Sequence, residues 1–311
     1  MSEIVFCAPG GDPSVWVNEL AALLPEARVR VFDPNANGVE PADFAVVWAP
    51  SPALFEREAR LKAIFNLGAG VDALMRMENL PRNVPVVRLG DAGMSVQMAE
   101  YVAHAVIRFT RELDRYEDET RAGQWRLRRP TLRGEFPVAV LGLGVIGTHV
   151  AQTLAAFEFP VRGWSRTPRD ISGIETFSGA AGLDEALRQS RIVVCVLPLT
   201  PATDSILDRT NLEKLLPGGY VINVARGAHL VDQDLIGLID SGHLAGATLD
   251  VFRIEPLPSG HPFWTHPKIV VTPHISARTL RATTLAQIGE KIRRLESGLD
   301  IEGVVDREQG Y

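Results

Sequence analysis

Cysteine is nearly missing from this chain: two in 311 residues, Cys7 and Cys195, each set in an apolar run. Two distant thiols make neither a disulfide framework nor a zinc site, and their scarcity fits a reducing compartment. Long apolar stretches are missing too. None reaches the roughly 18 residues of a membrane span, and the opening MSEIVFCAPGGDP lacks the basic start and long apolar core of a secretion signal. There is no excess of positive charge: 32 Lys and Arg stand against 38 Asp and Glu, a formal net charge of -6 at pH 7. That balance gives no general attraction for nucleic acid or acidic membranes, while leaving room for a local basic site. Internal repeats and low-complexity tracts do not occur. The expectation is a soluble, cytoplasmic protein with no nucleic-acid, membrane or metal partner.

What is present is ordinary globular material, 46% hydrophobic and 23% charged, in a chain about twice the usual single-domain length. Short apolar runs alternate with helical patterns. In the first hundred residues, strands are predicted over 2–8, 27–32, 44–49 and 63–67, with a helix over 14–24 and one long helix over 94–113. A second block carries six predicted strands, 137–141, 161–165, 192–197, 219–224, 247–251 and 269–272, with helices between them such as 144–157 and 183–189. Residues 277–298 are helical again. Near-continuous β-branched runs separated by helices point to α/β architecture with parallel sheets buried on both faces.

The segment VAVLGLGVIGTHVAQTL places Gly142, Gly144 and Gly147 between a strand and a helix. This is the G-x-G-x-x-G pattern in its meaningful context. Gly142 allows the tight turn, Gly144 lets a pyrophosphate approach the backbone, and Gly147 permits close packing of helix on strand. The helix N-terminus then offers N–H groups and a positive dipole end to the phosphates. At the end of the following strand an NAD site usually has an acid for the ribose hydroxyls. Ser165 and Arg166 stand there instead, with Arg169 nearby. A guanidinium suits the 2′-phosphate of NADP, so NADPH is preferred over NADH. Arg166 stacked on the adenine, or as a plain surface charge, is the other reading.

Three later segments put one polar residue each just past a strand: Arg226 in VINVARG, Glu255 in TLDVFRIEP and His274 in IVVTPH. The carboxyl ends of strands line the ligand crevice of open parallel sheets, so residues far apart in sequence can meet there. Arg226 can hold a carboxylate and polarise the neighbouring carbonyl. His274 can exchange a proton with the oxygen at the reacting carbon, and Glu255 would orient the imidazole and stabilise its charged form. Between the two blocks, residues 121–133 hold five arginines and one aromatic, Trp125. A solvated loop with local salt bridges and an arm packed on a partner subunit are both open readings.

These segments resemble the D-isomer-specific 2-hydroxyacid dehydrogenase family across essentially the whole chain. The matching pieces are NLGAGVD (66–72), AEYV (99–102), LGLGVIG (141–147), LPLTPAT (197–203), NVARG (223–227), LDVFRIEP (249–256) and TPHIS (272–276). Within it, VVWAPSP, GMSVQMAEYV, WSR and the terminal Gly-Tyr are most similar to an NADP-using branch that reduces glyoxylate and hydroxypyruvate. The resemblance implies a Rossmann cofactor domain, 100–277, inserted into a flavodoxin-like substrate domain, 1–99 plus 278–311, with an interdomain cleft and a homodimerisation arm near 111–136. It implies Arg226, Glu255 and His274 as the catalytic set. The cofactor would meet Gly142, Gly144, Val145, Ile146, Gly147, Ser165, Arg166, Thr167, Leu197, Pro198, Ala225 and Asp250, the last near the nicotinamide end. The substrate, a small 2-oxo acid, would meet Trp48, Ala69, Gly70, Arg226 and His274. Trp48 and Met94 could wall the pocket or simply belong to the core. Two alternatives remain open: an NAD-dependent dehydrogenase of a larger D-2-hydroxy acid such as phosphoglycerate, and a non-catalytic nucleotide-sensing module.

Overall fold

The computed structural model of the protein describes residues 1–36 and 38–310, so Tyr311 of the terminal Gly-Tyr lies outside the described residues. The chain divides into two compact units, Met1–Gly93 with Arg278–Tyr311, and Met94–Ala277.

In the first unit the strands are β1 (Glu3–Cys7), β2 (Arg28–Val31), β3 (Phe44–Val47), β4 (Ala63–Asn66) and β5 (Val86–Val87). Among the described residues they form one parallel sheet in the order β2-β1-β3-β4-β5, the flavodoxin-like order. The apolar runs have no polar alternation because both faces are covered. Ile4, Phe6, Phe44, Val46 and Phe65 pack against Leu20, Leu285, Ile288 and Ile292; Val5, Ala45, Val47 and Ile64 face Leu54, Phe55 and Leu74. Helix α1 (Pro13–Leu23) starts where Asp12 accepts a hydrogen bond from the Ser14 amide and Pro13 sits in the first turn, a favourable N-terminus. Helices α2 (Ala53–Arg57) and α3 (Asp72–Met75) are short, and the C-terminal helix Arg281–Glu296 returns to this unit. Strand β5 was not predicted, because two residues make no readable run.

The second unit opens with α4 (Met94–Thr110) and α5 (Leu113–Arg121). The single helix expected over 94–113 therefore breaks. Glu112 adopts a left-handed φ of 49°, and the apolar stripe that holds α4 to the core ends at Thr110, while α5 buries no residue. A helix persists through burial of one face more than through propensity, so the ladder stops where the stripe does. Then come β6 (Val138–Leu141), α6 (Val145–Ala156), β7 (Val161–Ser165), β8 (Glu175–Ser178), α7 (Gly179–Arg188), β9 (Ile192–Cys195), α8 (Arg209–Leu212), β10 (Gly219–Asn223), α9 (Asp232–Asp240), β11 (Leu244–Leu249) and β12 (Ile269–Val271). The sheet order is β12-β11-β10-β9-β6-β7-β8, all parallel. It has seven strands among the described residues where six were expected. The missed strand, β8, lies on the edge and is only partly buried, so its ETFS sequence carries no apolar signal.

This order is the doubly wound Rossmann arrangement extended by one edge strand, with the reversal of strand order between β6 and β9. The register matters most for the site. Leu141 lies beside Trp164 and Cys195, Cys195 beside Asn223, Asn223 beside Leu249, and Leu249 beside Val271. The strand ends are therefore level, and the segments that follow them emerge along one edge of the sheet.

Candidate active site

Of the three glycines of the turn after β6, two are explained by the protein itself. Gly142 has a φ of 105°, and a Cβ there would lie 2.7 Å from the Val196 carbonyl oxygen; a Cβ on Gly147 would lie 1.8 Å from the Gly142 oxygen. Only glycine meets those conditions. Gly144 is different. A Cβ on it would meet nothing within 4 Å, and its φ is an ordinary -74°. The open space lies at the N-cap of α6, a twelve-residue helix, beside the exposed Val145 and half-buried Ile146. A side chain here would fill the approach to the helix N-terminus, which is the place a phosphate group takes. The turn fits a dinucleotide.

At the end of β7, the Ser165 hydroxyl donates to the Thr167 carbonyl at 2.7 Å, closing a tight turn that carries Arg166 on the surface. No acid stands at Ser165 or Arg166, the positions just beyond the Trp164 that neighbours Leu141. Leu197, Pro198 and Ala225 follow the level ends of β9 and β10.

His274 and Glu255 do meet. The His274 Nδ1 lies 2.8 Å from Glu255 Oε2, both side chains partly open to solvent, at 45% and 36%. The other carboxylate oxygen, Oε1, accepts the Phe252 amide at 2.9 Å, which fixes the carboxylate's orientation. With Nδ1–H donated to the carboxylate, Nε2 is the ring nitrogen left for proton exchange. His274 itself has a left-handed φ of 55°, uncommon outside glycine and characteristic of functional positions.

That strained backbone is held from behind. Asp250 is fully buried. Its carboxylate accepts hydrogen bonds from the Ile275 amide at 2.8 Å, the Ser276 amide at 2.8 Å and the Thr272 hydroxyl at 2.6 Å, while its carbonyl accepts the His274 amide at 2.8 Å. The Tyr101 hydroxyl reaches Thr272 Oγ1 at 2.5 Å; burial pushes the Tyr101 phenol up to about 12, so it stays protonated and donates. Asp250 was expected near the nicotinamide end of a cofactor, and it is placed as the clamp of the loop that carries His274. Tyr101 and Thr272 were not singled out in the sequence, although both lie in quoted segments.

Arg226 follows β10. Its Nη1 donates to the Ala225 carbonyl at 2.7 Å. Asn223, fully buried, donates from Nδ2 to the Arg226 carbonyl at 3.0 Å and accepts the Ala225 amide at 3.2 Å. Gly227 is packed so tightly that a Cβ would lie 1.8 Å from the Phe252 carbonyl carbon. The arginine turn therefore abuts the same Phe252 whose amide holds Glu255, and contact runs from Arg226 through Phe252 and Glu255 to His274.

In the first unit, Trp48 directly follows β3 beside the end of β4, since Val47 pairs with Asn66. A Cβ on Gly68 would lie 2.3 Å from the Trp48 ring, so this glycine is what lets the indole pack against the turn. Trp48 is 44% exposed, whereas Met94, the first residue of α4, is buried. Asn66, almost fully buried, donates from Nδ2 to the carbonyls of Gly68 at 2.9 Å and Gly70 at 3.0 Å. In a trans peptide the N–H points opposite to the C=O. The Ala69 and Val71 amides are thereby turned away from Asn66. Asn66 was visible as the first letter of NLGAGVD but had been given no role.

The arginine-rich segment is divided. Arg121 pairs with Asp118 and Glu117, Arg128 with Glu119 and Glu112, and Arg133 lies over the Phe159 ring at 4.7 Å. Arg126, Arg129, Trp125 and Leu127 are exposed.

A dinucleotide turn, a carboxylate-held histidine and an arginine on level strand ends define a dehydrogenase-type site in a two-unit parallel α/β chain. The model of the D-isomer specific 2-hydroxyacid dehydrogenase, NAD binding domain, matches residues 103–276, more than half of the chain, and the protein belongs to that family. Its relatives narrow the group. It is 44% identical over 99% of its length to the glyoxylate/hydroxypyruvate reductase A of Serratia proteamaculans, and equally to that of Photorhabdus laumondii, covering 99% and 100% of those proteins. Among solved structures it is similar to a D-isomer specific 2-hydroxyacid dehydrogenase from Xanthobacter autotrophicus Py2 in complex with NADPH and MES, with a TM-score of 0.94 and 41% identity over 100% of this chain and 99% of that one. It is also similar to an NADPH-dependent glyoxylate/hydroxypyruvate reductase from Sinorhizobium meliloti in complex with NADP and sulfate, with a TM-score of 0.93 and 36% identity over the whole of both chains. Among the described residues no helix is long and apolar enough to cross a membrane.

Proposed function

We propose that this protein is an NADPH-dependent reductase of small 2-oxo acids, glyoxylate and hydroxypyruvate first among them, acting in the cytoplasm as a homodimer. The observation that carries the chemistry is the 2.8 Å contact of His274 Nδ1 with Glu255, on the sheet edge that also bears the open Gly144 turn. The substrates are those named for the relatives at 44% identity, and these names favour the small-acid reading over phosphoglycerate or nucleotide sensing.

The unit Met94–Ala277 would hold the cofactor, with its phosphates at Gly142–Gly147 and its 2′-phosphate at Ser165, Arg166 and Thr167. Leu197, Pro198 and Ala225 would lie along it, and Asp250 would act near its nicotinamide end through the His274 loop. NADPH bound there supplies the hydride. Arg226 would hold the substrate carboxylate and polarise the carbonyl, and the backbone amides around Ala69 and Gly70 would also receive the carboxylate. His274 donates its Nε2 proton to the carbonyl oxygen as the hydroxyl forms, and Glu255 stabilises the imidazolium beforehand. Trp48 would limit the size of the group beyond the carbonyl.

Steady-state reduction of glyoxylate, hydroxypyruvate and pyruvate, each with NADPH and NADH, tests this. The expected result is turnover of the first two with NADPH favoured. Binding of NADPH with no reduction of any of the three would reject the reading.

Homodimerisation is supported by the apolar side chains that the segment after α5 leaves in solvent: Trp125 at 94%, Leu127 at 89% and Leu132 at 63% exposure. Large apolar side chains exposed this close together, although interleaved with Arg126, Arg128 and Arg129, are material for association. Sedimentation equilibrium should give twice the chain mass, and Trp125→Ser with Leu127→Ser should give the monomer. A monomeric wild-type protein would remove the arm from the account.

A further inference from the structure

We propose that His229 is a positioning residue for Arg226, tying the backbone of the substrate-holding arginine to the Pro198 carbonyl after β9. This rests on Arg226 as the carboxylate-binding residue. His229 lies three residues past Arg226 in a single 3-10 turn and is fully buried. Its Nδ1 is 3.2 Å from the Arg226 amide and its Nε2 is 3.3 Å from the Pro198 carbonyl oxygen.

The surrounding partners decide the tautomer. The Arg226 carbonyl, 3.0 Å from Nδ1, already accepts the Asn223 side-chain amide and the His229 backbone amide. The Pro198 carbonyl, which also accepts the Thr203 hydroxyl at 2.7 Å, can only accept from Nε2, and the Arg226 N–H can only donate to Nδ1, so both contacts are hydrogen bonds when Nε2 carries the proton and Nδ1 is bare. The imidazole must then be neutral, and burial does hold its pKa below the ordinary 6.5. Neutral His229 accepts at one end and donates at the other. Asn223 grips the arginine's carbonyl while His229 grips its amide, so the peptide units on both sides of Arg226 are fixed. An ordinary core histidine would need only to fill volume. This one joins the two loops that leave the neighbouring strands β9 and β10.

The two nitrogens can be tested separately. In His229→Asn the side-chain oxygen replaces Nδ1 and still accepts the Arg226 amide, but the shorter side chain does not reach the Pro198 carbonyl, which keeps the Thr203 hydroxyl. In His229→Gln the terminal amide nitrogen replaces Nε2 and keeps the Pro198 bond, while the Arg226 amide loses its acceptor. A buried amide left without a partner is the larger loss. The expected result is a rise of about 10-fold in KM for the 2-oxo acid in His229→Gln, with kcat less affected and NADPH affinity retained. His229→Asn should restore most of the difference. Hydrogen–deuterium exchange of the peptide spanning 223–230 should rise in His229→Gln and less in His229→Asn, with or without catalysis. Equal exchange and equal KM in the two variants, whatever their melting temperatures, would overturn the proposal. A wild-type protein that reduces no 2-oxo acid but shows the exchange difference would instead remove the function assigned to Arg226 and leave the clamp standing.

Discussion

His274→Asn is expected to lower kcat by about 100- to 10,000-fold, the usual worth of a positioned general acid or base, while NADPH binding stays nearly intact. Asparagine is chosen for three reasons. Its side-chain amide can donate to Glu255 from about the place of Nδ1, so the carboxylate keeps a partner. It tolerates the left-handed φ of 55° better than most residues, so the Asp250 clamp on Ile275 and Ser276 is not asked to hold a worse backbone. It has nothing in place of Nε2, which is the proposed proton donor. Single-turnover oxidation of NADPH, followed by absorbance, reads the loss, and NADPH fluorescence titration reads the binding. Near-normal turnover with intact cofactor binding would remove His274 as the acid and, with it, the role of Glu255.

Arg166→Asp is expected to weaken NADPH binding by about 10- to 100-fold, the equivalent of losing a hydrogen bond to a charged group at ~1.5–3 kcal/mol. NADH should change little or improve. The side chain is exposed at the end of β7, beyond the fold's core, so the substitution tests the charge and not the packing. A carboxylate there repels the 2′-phosphate and can accept from the free 2′-hydroxyl of NADH. An unchanged ratio of the two affinities, measured by the same fluorescence titration, would mean that Arg166 stacks or is merely a surface charge and that the phosphate is read elsewhere.

Both predictions concern residues that could be found in the sequence, and the reason is the same. A parallel strand buried on both faces is a short apolar run, and its end is marked by the first small or polar residue after it. Gly142 is such a residue, Ser165 is the last residue of β7, and Arg226 and His274 lie three residues past the ends of β10 and β12; the level register of β6, β7, β9, β10, β11 and β12 brings these positions to one edge. What could not be read has equally plain causes. β8 is a half-exposed edge strand and β5 has two residues, so neither makes a pattern. The break at Glu112 depends on where α4 stops touching its neighbours. Residue spacing alone does not measure that.

The supporting residues of the site were the least legible. Asn66, Tyr101, Asn223, His229 and Thr272 are polar letters inside runs already assigned to strands, helices or turns. Their function comes from which carbonyl or amide each one reaches, and Asp250 shows the same point. The sequence by itself determined two α/β units with parallel sheets, a dinucleotide turn, an arginine in place of the usual acid, and three polar residues beyond strand ends, because all of these follow from local pattern and spacing. Only the tertiary structure decided that Glu255 holds His274, that Asp250 holds its loop, and that Gly144 alone of the three turn glycines faces open space. Those facts depend on hydrogen-bond partners and free volume between segments distant in sequence, and neither exists until the chain has folded.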